Sequence, residues 1–433
     1  MFASKPRRVA VVGGLRTPFL RSGTGFADLT AVELGTIAVR ELVARFGVEE
    51  ASIDELVYGT VIPSVSQPNI AREVLFGAGL PRKIPAHSVI AACASANQAI
   101  TDAAEKIALG LADTVVAGGS ESLSDVPILF SKPFSRRLVA LSKAKTPRQR
   151  LAILKGFSPA ELKPVAPAIA EHLTGQTMGE SAEKMAKENR ISREEQDRYA
   201  LGSHRKAAAA WESGVLGPEV VPVPEPPRYD EIATRDNTVR ADSTMEQLAK
   251  LPPVFDKRFG TITAGSSSPL TDGASAVLLM SEARAKAERR KVLAFIRSWA
   301  YAAVDPSEQL LQGPAYAAPI ALDRAGAKLS EMGRVEMHEA FAAQVLSNLQ
   351  AFSSEKFARE KLGRSDPIGE VDPGILNVYG GSIALGHPFG ATGGRIVTTL
   401  ANELARTGKA LGLLTVCAAG GLGHAMVLEH GES

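Results

Sequence analysis

Two distant segments of this chain repeat the same order of parts. Cys93, in CASANQAI, precedes a helix of small residues, a glycine turn and the strand TVVAGGSES. His387, in GGSIALGHPFGATGGRIVTTLANELARTG, precedes a similar helix, a glycine turn and the strand LGLLTVCAAGG. This pattern constrains the fold more than any other feature, because it calls for one module used twice. Each copy would present one reactive side chain just before or at a helix amino terminus. The copies differ in one place. VCAAGG passes through one tight connection into GLGHAMVLEH, whereas VVAGGSES and its matching strand TDGASAVLLMSE lie about 150 residues apart. The intervening stretch is rich in proline and charge, so the first copy carries an insertion. Short β-branched runs alternate with alanine-rich amphipathic stretches, which predicts an α/β layered architecture. The expected division is residues 1–126 plus 254–285 as the first half, 127–253 as the insertion and 286–433 as the second half.

With 433 residues and 45% hydrophobic content, the chain can bury a large core. Its net charge of +2 gives no global attraction to nucleic acid. Two cysteines cannot build a disulfide framework and are a poor zinc site by themselves, so no metal is expected. The amino terminus, MFASKPRRVAVVGG, has too short an apolar run for a secretory signal, and no segment is long and apolar enough to span a bilayer. A cytoplasmic protein with free thiols is expected. Nucleotide-binding spacing is missing too: VVGGLRTP lacks G-x-G-x-x-G, and no G-x-x-x-x-G-K-[ST] occurs.

Chemistry concentrates in CASANQAI, HEAFAAQ, GGSIALGHPFGATGG and CAAGGLGHAMVLE. Free cysteine is a common core residue, so Cys93 alone could be inert packing. Two thiols and two histidines that the repeat brings together suggest more. A thiol at a helix amino terminus should have a lowered pKa, and a facing histidine can take its proton. A second cysteine, with an ordinary pKa of ~8.5, suits proton transfer in both directions. Glycines beside it would expose backbone N–H groups to an oxyanion. His424 and His204 carry no such motif and are expected to be structural.

Together with LRTPF, AGGSESLSDVP, TMGESAEKMA and FDKRFGTITAGSSSPLTDGASA, these strings closely resemble the thiolase family over essentially the whole chain. HEAF and CAAGG resemble its degradative 3-ketoacyl-CoA thiolase branch, which includes the β-subunit of the fatty-acid oxidation trifunctional complex. Many biosynthetic relatives have NEAF and C-x-G-G-G instead. The resemblance implies a duplicated α/β/α/β/α fold with an inserted loop domain. It implies thiolytic cleavage of 3-oxoacyl-CoA, with coenzyme A as co-substrate and no bound cofactor. Cys93 would carry the acyl group and His387 would assist it. His338 would share an oxyanion hole with His387, and Cys417 would move the α-proton. The backbone N–H groups of Cys93 and Ala419 would form a second oxyanion hole. Ser268 and Met178 would line the coenzyme A and substrate channel. Biosynthetic condensation of acetyl-CoA, or an acyl-CoA-binding subunit without turnover, are the alternative readings. A homodimer or larger assembly is implied, as is a partner subunit bearing enoyl-CoA hydratase and 3-hydroxyacyl-CoA dehydrogenase activities.

Residues 131–164 hold nine lysines and arginines against Glu161 alone, a net +8 in a chain of net +2. Apolar residues run between them, which predicts two short basic amphipathic helices meeting near Thr146–Pro147. Such a segment is either a solvated face or a docking surface for a partner, acyl-CoA phosphates or an anionic membrane.

Overall fold

Strand pairing follows one scheme twice. The structure is a computed structural model that describes residues 6–165 and 170–431, so the first five residues of the amino-terminal stretch read above lie outside it. In chain order the strands are β1 (Val9–Arg16), β2 (Leu20–Arg21), β3 (Glu55–Gly59), β4 (Ala86–Val89), β5 (Thr114–Glu121), β6 (Val223–Pro224), β7 (Ile232–Ala233), β8 (Thr271–Ser281), β9 (Ala294–Ala303), β10 (Arg334–Met337), β11 (Leu411–Ala418) and β12 (Leu422–His430). In the first half β4, β3 and β5 are parallel, β8 returns antiparallel to β5, and β1 is antiparallel to β8. In the second half β10 and β11 are parallel, β12 returns antiparallel, and β9 is antiparallel to β12. Leu376 bridges Val335 in parallel, where β4 would pair with β3. The halves join edge to edge through Val9↔Ile296, Ala10↔Phe295 and Val11↔Ala294.

The period of two along each strand creates the layers. In β1 and β8, Ala10, Val12, Leu278 and Met280 face an outer core with the helices Ala31–Arg45 and Ile70–Gly77. Their neighbours Val9, Val11, Val277 and Leu279 face a central core instead. The second half mirrors this: Met426 and Leu428 point to the central core, Ala425 and Val427 to the other outer one. The central core is built on the helices Ser95–Ala108 and Thr392–Thr407, the two small-residue helices of the repeat. Small residues suit this place because the two helices pack closely against each other and against the strands. The expected layered α/β fold is present.

Between β5 and β8 the chain leaves the sheet, whereas β11 and β12 are linked through Ala419, Gly420 and Gly421, the glycines at φ +82° and +73°. The excursion packs on the second half. Ala182, Met185 and Ala186 of the helix Met178–Glu188 share a core with Leu310, Leu311, Ala343 and Cys417. Ala207, Ala210 and Trp211 of the helix Arg193–Glu212 pack on Ala384 and Leu385. The basic segment forms the helices Lys132–Lys143 and Pro147–Leu154, with Ser131 and Thr146 as amino-terminal caps and no buried residue in either. No helix among the described residues is long and apolar enough to cross a membrane.

At the end of β5, a Cβ on Gly119 would overlap the carbonyl oxygen of Gly390 in the loop after His387. Gly119→Ala should therefore overpack the seam between halves and cost about 1–3 kcal/mol of stability in urea denaturation. An unchanged midpoint would contradict this close approach.

Candidate active site

Cys93 sits in a strained turn between β4 and the helix Ser95–Ala108. Ala92 adopts φ +47°, a conformation that opposes its own Cβ. Ser95 holds the turn: its Oγ accepts from the Ala91 N–H at 2.9 Å and donates to the Ala92 carbonyl at 2.7 Å. Cys93 is left half-buried, on the wall of a pocket.

His387 arrives from the other half, its Nε2 3.2 Å from the Cys93 Sγ. Its Nδ1 lies 2.6 Å from Thr392 Oγ1, and that hydroxyl donates to the Pro388 carbonyl at 3.1 Å. The threonine's one hydrogen is thus used, so Nδ1 must be the donor and Nε2 keeps a lone pair facing the sulfur. His338 lies fully buried against His387, ring centroids 4.2 Å apart. Its Nδ1 is 2.9 Å from Ser382 Oγ, while its Nε2 has no protein partner among the described residues.

One pocket of about 520 Å³ gathers Cys93, His387, Cys417, Ala419, Ser268 and Met178. Phe255, Leu311, Phe341 and Phe389 give it mostly apolar walls. His338 stands behind His387. His424 is elsewhere, in contact with Tyr301 at 4.7 Å between ring centroids, and His204 accepts the Arg240 N–H at 3.2 Å. Ligand atoms of Cys93, His338 and His387 lie within 4.8 Å of one another, and thiolate with imidazole is a donor set zinc accepts. An ion there would take the lone pairs that a Cys–His proton transfer needs.

Burial decides the protonation states, against the expectation of a lowered thiol pKa. Desolvation pushes the Cys93 thiol up to about 12, although the N–H groups of Ala419 and of Cys93 itself oppose it. Burial, with Arg395 nearby, pushes His387 down to about 3. His338 is lowered by burial, His387 and Arg395, and Cys417 is raised by burial and by Cys93. These directions all favour neutral thiols and neutral imidazoles at rest. The helix terminus alone does not offset removal from water.

Two buried acids were not singled out from the sequence. Glu121 accepts from the N–H groups of Val61, Ile62 and Gly390 at 2.9, 3.0 and 2.9 Å, which ties the His387 loop to the first half. Glu339 accepts from Tyr199, Ser203 and Asn377 and from the Ile383 N–H, fixing the backbone around His338. The available signal was an acid among small or apolar residues, in AGGSES and HEAF, where a buried carboxylate must find donors.

Residues 9–283 match the family described as thiolase, N-terminal domain, and residues 290–430 match thiolase, C-terminal domain. A 3-ketoacyl-CoA thiolase of Yersinia enterocolitica is 52% identical over 422 residues, covering 98% of this chain and 97% of that one. One of Pectobacterium carotovorum is 51% identical, covering 98% and 96%. Among solved structures, the Bacillus anthracis acetyl-CoA acetyltransferase superposes with a TM-score of 0.84 at 32% identity, covering 99% of this chain and 100% of that one. Human mitochondrial 3-ketoacyl-CoA thiolase in complex with CoA gives 0.82 at 32%, covering 98% of each.

With the thiol neutral at rest, alkylation of Cys93 by iodoacetamide should rise by about tenfold per pH unit and still be rising at about pH 9. The raised pKa gives the sign: thiolate forms only as pH climbs toward it. A rate that is flat from about pH 5 to 8 would reveal a resting thiolate–imidazolium pair instead.

Proposed function

The chain belongs to the thiolase family and is an acyltransferase acting on 3-ketoacyl-CoA, and we propose that it works through an acyl group carried on Cys93. The reaction is the chain-shortening step of fatty-acid β-oxidation, which consumes coenzyme A and releases acetyl-CoA. The observation that carries the reading is the 3.2 Å approach of His387 Nε2 to the Cys93 sulfur, in one pocket with Cys417.

His387 takes the Cys93 proton as the sulfur attacks the keto carbonyl. The bond between C2 and C3 then breaks, and its electron pair becomes the enolate of acetyl-CoA. His338 and the protonated His387 hold the enolate oxygen, and Cys417 gives its proton to C2. After acetyl-CoA leaves, the Cys417 thiolate takes the proton of incoming coenzyme A, whose sulfur attacks the acyl-Cys93 thioester. The N–H groups of Cys93 and Ala419 hold the oxyanion of that second intermediate. Cys93 leaves as a thiolate and recovers its proton from His387, closing the cycle. Ser268 and Met178 flank the pantetheine and acyl path, and the apolar walls suit an alkyl chain. Neutral resting groups fit this scheme, because each proton moves only when a charge is created beside it.

We further infer a cytoplasmic homodimer or larger assembly, with a partner subunit bearing the hydratase and dehydrogenase activities. The two basic helices are assigned to peripheral contact with anionic lipid. Several of their apolar residues face solvent, Leu151 at 75% exposure, with Leu138, Val139 and Leu154 also exposed, as are Ile128, Leu129 and Phe130 just before them in the chain. Arg137 is not part of the binding charge. Its guanidinium pairs with Glu161 at 2.7 Å and donates to the Ile153 and Gly156 carbonyls, so it holds the hairpin together. Of the eight other basic residues, Arg136, Lys143, Arg148 and Arg150 on the two helices are taken to bind the headgroups.

Two outcomes follow. In Cys417→Ala, α-proton exchange of acetyl-CoA in heavy water should fall by about 10²-fold or more, the scale of a lost acid–base group; undiminished exchange would remove Cys417 from the mechanism. Glutamine at Arg136, Lys143, Arg148 and Arg150 should abolish salt-sensitive flotation with phosphatidylglycerol vesicles and leave turnover of short substrates intact. Equal flotation of wild type and variant at low salt would make the hairpin a solvated face.

A further inference from the structure

We propose that Ser382 and Arg395 are positioning residues that fix His338 as the tautomer protonated on Nε2, opposite to His387. The inference rests on the reading of His338 as an oxyanion donor and names what makes it one. Arg395 is buried, and a guanidinium can only donate. Its Nη2 lies 3.2 Å from Ser382 Oγ, and its Nη1 lies 3.5 Å from a carboxyl oxygen of Glu336. Ser382 Oγ therefore accepts from Arg395 and has one hydrogen left. The nearby acceptor is His338 Nδ1, at 2.9 Å. A donor arriving at Nδ1 leaves the ring proton on Nε2, the nitrogen that has no protein partner among the described residues. In the reverse arrangement Ser382 Oγ would accept from both Arg395 and His338, leaving its own hydrogen with no acceptor among the described residues and turning a bare lone pair toward the reacting oxygen.

The contrast with His387 lies in where each neighbouring hydroxyl sends its hydrogen. Thr392 donates to the Pro388 carbonyl and must accept from the imidazole, whereas Ser382 accepts from Arg395 and must donate to it. Two adjacent rings are thereby set as one base and one donor. Burial lowers the pKa of both and so favours the neutral form, and only a neutral ring has a tautomer to fix.

Long-range proton–nitrogen correlation spectra of the ¹⁵N-histidine-labelled enzyme at neutral pH, assigned with single His variants, should show His338 protonated on Nε2 and His387 on Nδ1. Both rings protonated on the same atom would overturn the proposal, and this measurement needs no Ser382 variant. In Ser382→Ala, acetyl-CoA α-proton exchange should lose about tenfold to a hundredfold in kcat with little change in KM, part of the usual cost of a lost oxyanion donor. Acyl exchange between acyl-CoA and coenzyme A, which uses the other oxyanion hole, should change much less. Wild-type α-proton exchange in Ser382→Ala, beside a large loss in His338→Ala, would remove the relay and leave the oxyanion reading standing. Wild-type exchange in His338→Ala would remove both.

Discussion

A sulfur from one half of the chain and an imidazole from the other meet at 3.2 Å, and neither segment brings them together alone. The meeting depends on two helices, Ser95–Ala108 and Thr392–Thr407, packed into one central core. These surroundings tolerate almost no added volume: a Cβ on Gly393 would overlap the Asn97 side chain of the facing helix, and one on Gly394 would overlap Ser275 Oγ of β8. The loops that carry the reactive groups hang from the amino ends of these helices. Glu121 then pins Gly390 to the first half by a charge-assisted hydrogen bond. The reactive distance is thus set by close packing of small residues, and polar groups adjust it.

The same close packing removes water, which sets the chemistry. In solvent a helix amino terminus would favour thiolate, worth typically 0.3–1 kcal/mol near the surface. Here desolvation raises the Cys93 thiol and favours its protonated form. In the proposed mechanism a neutral thiol beside a neutral imidazole waits until a carbonyl arrives to receive the electrons. In that mechanism oriented N–H donors then act with little water competing for the developing charge.

Much of this was legible in the chain. The repeat around Cys93 and His387 gave the layered architecture, because strand–helix order and glycine turns are local signals. The strings CASANQA, HEAF, GHPFGATGG and CAAGG marked residues that the structure places in or beside one pocket. What could not be read is what depends on burial and on partners remote in sequence. The thiol pKa was expected to fall and instead rises, since desolvation is a property of the packed core. Arg137 counted as surface charge until Glu161 was found beside it. Glu121, Glu339, Ser382 and Arg395 are ordinary in sequence and gain their roles only through hydrogen bonds across the fold.

The central claim is that Cys93 carries the acyl group while Cys417 only moves protons. Mixing the wild-type enzyme with 3-oxohexanoyl-CoA in the absence of coenzyme A, quenching in acid and mapping the adduct by mass spectrometry tests it most directly. A butanoyl group is expected on the peptide containing Cys93, discharged when coenzyme A is added before the quench. An adduct on Cys417, or acetyl-CoA release with no acyl-enzyme at any time, would contradict it.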